Sequence, residues 1–402
     1  MAQRGYPLAG LKVLDLSRVL AGPVCTQLLA DLGADVVKVE RPGSGDDTRQ
    51  WGPPFLGEDG PSAYYLSCNR GKRSLALDLK NAAARAVVDS LLCTADVMIE
   101  NFLPEQLGQF GLTPERLATL NPRLVSCSIS GFGRTGPLAS APGYDLMTQA
   151  GTGLMAITGE PSGAPMKVGV AISDVIAGLY AATSVLAGLH ARARGAAGMA
   201  FDLALADCTL ASLVNVAQST LVTGAPPRRW GNAHPQIVPY EAYETADGYL
   251  VIGIGTDDQW RKFCAAAGCA DWAGDERFAT NPLRVKHRTE LAALLRPFVR
   301  ERTTHHWEEL LAAIGVPHGP VMSVDEALDT PQAAARDMVL PVVDRHGRSY
   351  SLVGCAVHWQ GEPPRQATTP PDIGEHTDEI LSEWLAYDAA KIAALRASGA
   401  IA

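Results

Sequence analysis

The chain is predicted to be an α/β protein: a parallel sheet covered by helices on both faces, with a smaller α+β unit inserted into it. Three observations carry this. Short apolar runs alternate with helical segments over the first third of the sequence, and strands joined by crossover helices lie parallel and covered on both sides. The 402 residues exceed what one simple core accommodates, so two domains are expected. The pattern then breaks at Gly224-Ala-Pro-Pro227, changes character until about Val324, and returns to strands from Val339. The expected partition is 1–224 for the first part of a discontinuous large domain, 225–328 for the small domain, and 329–402 for the return.

Taken in order, residues 11–16 read as the first strand. Pro23 opens a helix that runs to residue 32 and Gly33 closes it, with Pro at the start and Gly past the end. Residues 35–40 form the second strand and 74–79 the third. A helix over 82–93 and strands at 97–100 and 124–129 continue the series. A long apolar helix follows from residue 173 to 189, then a strand at 199–205 and a helix at 207–221. The inserted unit opens with strands near 240–243 and 249–252, followed by several short helices. The Pro- and Gly-rich stretch Gly315-Val-Pro-His-Gly-Pro320 precedes the return. Strands at 340–343 and 350–353, irregular stretches at 362–365 and 370–374, and helix from residue 378 onward complete the reading. Strand order is not legible at this level.

Composition narrows the function. Hydrophobic residues make up 47% and charged residues 19%, the balance of a packed globular chain rather than a disordered one. A net charge of −9 argues against a general nucleic-acid binder, which is usually basic, but leaves room for an anionic ligand on local Arg and Lys. The eight Cys contain no CxxC pair. Cys264 and Cys269 are close, yet no second pair or His cluster completes a zinc site, so no metal is expected and the thiols are expected to be reduced and buried. The N-terminus lacks a signal-peptide apolar region, and Gly, Asp, Ser or Arg interrupts each apolar run before membrane-spanning length. A cytoplasmic protein with neither membrane nor nucleic-acid partner is the expectation.

Familiar catalytic motifs are missing. The turn after the first strand, Ser17-Arg-Val-Leu-Ala-Gly-Pro23, holds no GxGxxG. No GxxxxGK[ST], GxSxG or HExxH occurs. What remains is subtler. Asp174 falls where a loop turns into the long apolar helix, and a carboxylate in a first turn meets free N–H groups and the positive end of the dipole. By itself this reads most simply as a helix cap; as a functional group it would be ionised and aimed. Arg41, Arg49, Arg70, Lys72 and Arg73 make a basic region that is either a solvated turn or a phosphate clamp. Gly253-Ile-Gly255 is either a plain turn or a mobile flap presenting backbone N–H groups. His234, in Arg229-Trp-Gly-Asn-Ala-His234, is either a satisfied interface histidine or a ligand for a substrate carboxylate.

A set of stretches running in order along nearly the whole chain resembles the class III (CaiB/BaiF) CoA-transferases. They include Val13-Leu-Asp-Leu-Ser17 with Ala21-Gly-Pro23, the run from Leu32 to Pro42, Asn69 with Lys72-Arg-Ser74, and Ser130-Gly-Phe-Gly133. Gly43-Ser-Gly-Asp46, Asp96-Val-Met-Ile-Glu-Asn-Phe102, Gly136-Pro137, Pro142-Gly-Tyr-Asp145, Ile172-Ser-Asp174, Gly315-Val-Pro317 with Gly319-Pro-Val321, and Gly374-Glu-His-Thr377 complete the set. Within that family, Asp46-Asp-Thr-Arg49, Trp51-Gly-Pro-Pro-Phe55 and Arg229-Trp-Gly-Asn-Ala-His234 look most like the succinyl-CoA:glutarate members.

The resemblance implies a Rossmann-like large domain, a ring-shaped monomer, and two rings interlocked as a homodimer. It implies no permanently bound cofactor, with a CoA thioester as substrate. It makes Asp174 the acyl-carrying nucleophile, places CoA contacts at Val19, Arg41, Leu77, Lys80, Asn101 and Phe102, and puts Tyr144 beside the nucleophile. It also places the Gly253–Gly255 loop where a glycine flap would exclude water. The racemases of the family carry a histidine at the position of Tyr144, and tyrosine is a far weaker base at neutral pH, which argues against racemisation. Formyl-CoA transferase carries histidine and glutamine where Arg18 and Leu20 stand; Arg18 suits an acid with a distal carboxylate. The expected activity is CoA transfer from succinyl-CoA to a dicarboxylate such as glutarate. The alternatives are a 2-methylacyl-CoA racemase or epimerase, or a non-catalytic CoA-binding protein.

Overall fold

The computed structural model describes residues 5–359 and 368–402; the irregular stretch expected at 362–365 lies outside them. The chain divides into two compact units. The first comprises Met1–Leu154, Lys167–Thr223 and Pro331–Ala402, and the second Met155–Met166 and Gly224–Thr330. The second unit therefore takes in a short excursion, Met155–Met166, that the sequence partition assigned to the large domain. Arg229 supplies the reason. Its guanidinium donates to the carbonyls of Glu160 at 3.1 Å, Ala156 at 3.2 Å and Gly163 at 2.5 Å, tying the excursion to the chain past Gly224.

The first unit is built on six parallel strands, β1 (Lys12–Asp15), β2 (Asp35–Glu40), β3 (Lys72–Ala76), β4 (Val97–Glu100), β5 (Val125–Ser130) and β6 (Ala200–Ala204). Their order across the sheet is β3-β2-β1-β4-β5-β6, that of a Rossmann-like doubly wound fold, with the direction of winding reversing between β1 and β4. Alternate strand residues feed opposite faces. Leu14, Val37, Leu75 and Met98 pack with Val88, Leu91, Ile380 and Trp384. Val13, Val36, Val97 and Val125 pack with Cys25, Leu29, Ala181 and Val185. Helices Ala82–Thr94 and Thr377–Leu385 thus cover one face, and helices Ala21–Asp31 and Ile172–Ala193 the other. A hairpin of β10 (Val339–Val343) and β11 (Ser349–Val353) belongs to the same unit, and the second unit holds an antiparallel sheet of β7 (Tyr240–Glu244), β8 (Tyr249–Gly253) and β9 (His318–Pro320). The core of the second unit gathers Trp260, Phe263, Phe278, Leu291 and Trp307.

Four expectations need correction. The third strand begins at Lys72, not at residue 74, because the Lys72 ammonium is buried and paired with Asp15 at 3.2 Å, with Asn69 and the Pro23 carbonyl as further acceptors. The helix expected over 207–221 is two, Leu205–Ser212 and Val214–Thr223, meeting at 78° where Val214 takes a positive φ. The C-terminal helix likewise divides, at Ala386, into Thr377–Leu385 and Ala389–Ala397. The helix Ile172–Ala193 is, by length and composition, apolar enough to cross a membrane, contrary to the reading of its sequence; its Ala177, Ala181, Ala182 and Val185 are spent on the core of the first unit.

Charge is buried at the carboxyl ends of the strands. Lys38 on β2 pairs with Asp46 at 2.9 Å, both side chains almost wholly out of water. Burial alone would raise the Asp46 pKa, but the Lys38 ammonium and the Thr48 N–H outweigh it and lower the pKa to about 2. Removing one member of such a pair strands the other. Lys38→Met is expected to cost about 3–5 kcal/mol in urea unfolding. A loss below about 1 kcal/mol would show that Asp46 does not depend on its partner.

Candidate active site

Two helices begin side by side at the carboxyl edge of the sheet, and neither has a side-chain cap. The helix Ala21–Asp31 follows Leu20, and the helix Ile172–Ala193 follows Ala171. Uncapped starts leave N–H groups without partners. Asp174, third in its helix, has its ionised form favoured by the backbone N–H of Ala21 and by its own. What lets the helices meet is Gly178. A Cβ there would lie 2.7 Å from the Ala21 carbonyl oxygen, so only a glycine brings the second helix this close.

Those N–H bonds lower the Asp174 pKa, but burial raises it more, and the neighbouring Asp145 carboxylate raises it further, to about 7. The comfortably ionised carboxylate expected from a helix start is not what the fold builds. Asp145 is itself fixed. One oxygen accepts the Ser173 N–H at 2.9 Å, supplying the cap that Ala171 cannot, and the other accepts from Gln149 Nε2 at 2.7 Å. The sequence does not announce this role, although Asp145 closes the stretch Pro142-Gly-Tyr-Asp145.

Asp174 lines an open cleft of about 1390 Å³ together with Tyr144, Arg18, Val19, Asn101 and Phe102. A second cleft of about 800 Å³ holds Arg41, Leu77 and Lys80, and shares Arg18 and Phe102 with the first. The structure therefore gathers the residues expected to touch CoA along two connected clefts. All sit just past strand ends: Arg18 and Val19 after β1, Arg41 after β2, Leu77 and Lys80 after β3, Asn101 and Phe102 after β4. That is where open α/β sheets bind ligands, and the β1–β4 boundary is the switch point. Leu77 and Phe102 are buried as an apolar floor, whereas Arg41 and Lys80 are exposed. Tyr144 is exposed in the cleft. Tyr64, which sequence reading passed over, also lines it; burial and Asp174 push its pKa up to about 12, so it stays protonated and able to donate.

Val19 has φ +73, a rare conformation for a β-branched residue and a cost on the order of 1–3 kcal/mol. It is held there from both sides. Its N–H donates to Asp46 at 3.2 Å, and Arg18 and Asn101 clasp reciprocally, Arg18 N–H to Asn101 Oδ1 at 3.1 Å and Asn101 Nδ2 to the Arg18 carbonyl at 2.7 Å. The Arg18 guanidinium, expected to face a substrate carboxylate, meets Asp47 at 3.2 Å instead, and Arg41 holds the other Asp47 oxygen.

The remaining three candidates belong to the second unit. His234 stacks on Tyr240 with ring centroids 5.4 Å apart, and its Nδ1 accepts the Gln236 N–H, which places the proton on Nε2. Gly253 and Gly255 do not present free N–H groups. Gly253 donates to the Pro317 carbonyl at 2.9 Å, and Gly255 to Gln259 Oε1 at 2.9 Å, within the capping box of the helix Asp257–Ala267. The open flap expected from the glycines is here a hydrogen-bonded turn.

A sequence profile of CoA-transferase family III matches residues 8–377. A succinate–glutarate CoA-transferase of Agrobacterium fabrum is 44% identical over 392 residues, covering 95% of this chain and 97% of its own. The human succinyl-CoA:glutarate CoA-transferase is 40% identical over 395 residues, covering 98% and 90%. A crystal structure of a CaiB/BaiF family protein from Brucella suis superimposes with a TM-score of 0.83 at 42% identity, covering 95% of this chain and all of the other.

The raised pKa has a cost in stability. Because the folded state favours the protonated form of Asp174, its contribution is full below pH 4 and is lost as pH rises through about 7. Asp174→Asn is expected to gain on the wild type at pH 8.5, with a ceiling of about 4 kcal/mol, and to gain almost nothing at pH 4. Thermal melts at the two pH values measure it. An equal difference at both would mean the carboxylate is not held against its preference.

Proposed function

The chain belongs to CoA-transferase family III, and from that premise we propose that it moves CoA from succinyl-CoA to a dicarboxylic acid of about glutarate length through covalent intermediates on Asp174. One observation supports this above the rest: a half-buried carboxylate at two helix starts, in a cleft continuous with an apolar, Arg- and Lys-edged groove. The names of the relatives support a dicarboxylate as acceptor and succinyl-CoA as donor.

In this reading Arg41 and Lys80 meet the phosphates of CoA, and Leu77 and Phe102 line the path of its pantetheine past Val19 and Asn101. Ionised Asp174 attacks the thioester carbonyl; the C–S bond breaks and leaves CoA thiolate and a mixed anhydride. The thiolate attacks the aspartyl carbonyl, the anhydride C–O bond breaks, and succinate leaves from an aspartyl-CoA thioester. The acceptor carboxylate attacks that thioester, the C–S bond breaks to release the thiolate and leave an aspartyl–acceptor anhydride, and the thiolate attacks the acceptor acyl carbon, breaking the anhydride C–O bond and restoring Asp174. Each step exchanges one acyl bond for another, so thioester energy is conserved. Desolvation makes the carboxylate a better nucleophile at the cost of its ionisation. Tyr144 and Tyr64 border the reacting carbonyl. Two copies interlocked as a cytoplasmic homodimer complete the proposal. Exposed apolar side chains of the first unit, Leu179 and Tyr180 on one helix and Leu221 and Val222 on another, support an assembled state.

Two experiments test this. CoA exchange from succinyl-CoA against a panel of mono- and dicarboxylic acids should show acceptor-dependent transfer without net hydrolysis. Asp174→Ala should lose at least about a thousand-fold in rate; substantial exchange by that variant would mean another nucleophile. In the wild type, kcat/KM should rise with pH and level off above about 7, since only ionised Asp174 attacks. Asp145→Asn removes a negative charge that opposes this ionisation, so the rise should move to lower pH. An unmoved profile would remove Asp145 from the account.

A further inference from the structure

Asp46 and Asp47 are adjacent carboxylates with opposite fates. Asp46 turns inward, bonded to Lys38, to the Val19 N–H and to Thr48. Its own N–H donates to Glu40 at 2.9 Å, so the backbone here is pinned. Asp47 turns outward into the cleft. Among the described residues, the partners of its carboxylate are two guanidiniums, Arg18 through one oxygen and Arg41 through the other. Arg18 and Asp47 line the cleft of Asp174, while Arg18 and Arg41 line the adjoining groove. One carboxylate thus holds both guanidiniums that line the two clefts, while Lys80 lines the groove apart from it. The side chains of Arg18, Arg41 and Asp47 are 37%, 52% and 39% exposed, which keeps such pairs weak and exchangeable.

We propose that Asp47 is a specificity-determining residue: an internal competitor that occupies Arg18 in the empty site and yields it to an acid carrying a second, distal carboxylate. This rests on the reading of the cleft as the acid site. An acid with one carboxylate leaves the Arg18–Asp47 pair intact and gains nothing from Arg18. A dicarboxylate of sufficient reach exchanges one ion pair for another, so Asp47 opposes its binding while sparing Arg18 from standing uncompensated when the site is empty. The anionic groups of CoA compete with Asp47 for Arg41 in the same way. Because one carboxylate serves both guanidiniums, loading of the groove and of the acid cleft are linked through it.

The test separates competition from mere positioning. Equilibrium binding of glutarate and of valerate, acids of equal chain length with two carboxylates and one, is measured by titration calorimetry on wild type, Asp47→Asn and Asp47→Ala, with thermal melts to verify folding. The expected result is that both variants bind glutarate about three- to ten-fold more tightly than wild type, with valerate unchanged and a steeper salt dependence for glutarate. Glutarate affinity unchanged or weakened in the folded variants would overturn the proposal and leave Asp47 as a support that aims Arg18. Equal tightening of both acids would overturn it as well, since it would reflect general charge rather than competition at the distal group. Binding does not require turnover. Absence of CoA transfer by the wild type would therefore count against the proposed function alone, and the affinity ratio would still decide the role of Asp47.

Discussion

The site depends on one close approach, that of the helix starts at Ala21 and Ile172, permitted by Gly178. Two uncapped helices would ordinarily face water. Here Asp145 caps one through the Ser173 N–H, and the backbone N–H groups of Ala21 and Asp174 favour ionisation of a carboxylate that burial and Asp145 would rather see protonated. The balance leaves Asp174 near the midpoint of its titration at neutral pH. A fully solvated aspartate would be ionised but sheathed in water, and a deeply buried one would be neutral. The range between them suits the proposed mechanism, in which the carboxylate must be charged to attack and poorly enough solvated to do so.

Around that point the carboxyl edge of the sheet is stiffened by buried charge. Asp15 at the end of β1 pairs with Lys72 at the start of β3, Lys38 on β2 pairs with Asp46 just past that strand, and Glu40 at the end of β2 pairs with Arg49. Pairs of this kind add little net stability, because desolvation offsets their attraction, but each fixes a loop in one conformation. The Asp46 pair matters most. It anchors the turn that forces Val19 to positive φ and sets the adjacent Asp47 facing the cleft. The same rigidity that stores strain at Val19 holds the exchangeable carboxylate between two arginines.

The large domain was legible because its strands are apolar runs separated by Gly and Pro punctuation. Asp35–Glu40 and Val97–Glu100 lie where periodicity puts them. Legibility failed where tertiary contacts override local pattern. Lys72 looks like a turn residue until its ammonium is seen buried against Asp15. Nothing near Val214 announces a 78° bend, and nothing in Met155–Met166 announces that Arg229 will claim its carbonyls. At the site, Asp174, Tyr144, Val19 and Asn101 were reachable through resemblance to a family. The direction of the Asp174 titration was not, since it is set by burial and by Asp145, whose position is a three-dimensional fact. The glycine loop shows the opposite failure: residues that suggest mobility are tied down by Gln259 and Pro317.

The central claim is that an acyl group and then the CoA sulfur become bonded to the side chain at position 174. Enzyme mixed with succinyl-CoA and quenched during turnover with hydroxylamine or borohydride should carry a hydroxamate or a reduced side chain on the proteolytic peptide containing Asp174, identified by mass spectrometry. Asp174 left unmodified under conditions of active exchange, or a modification found on a different residue, would contradict the account.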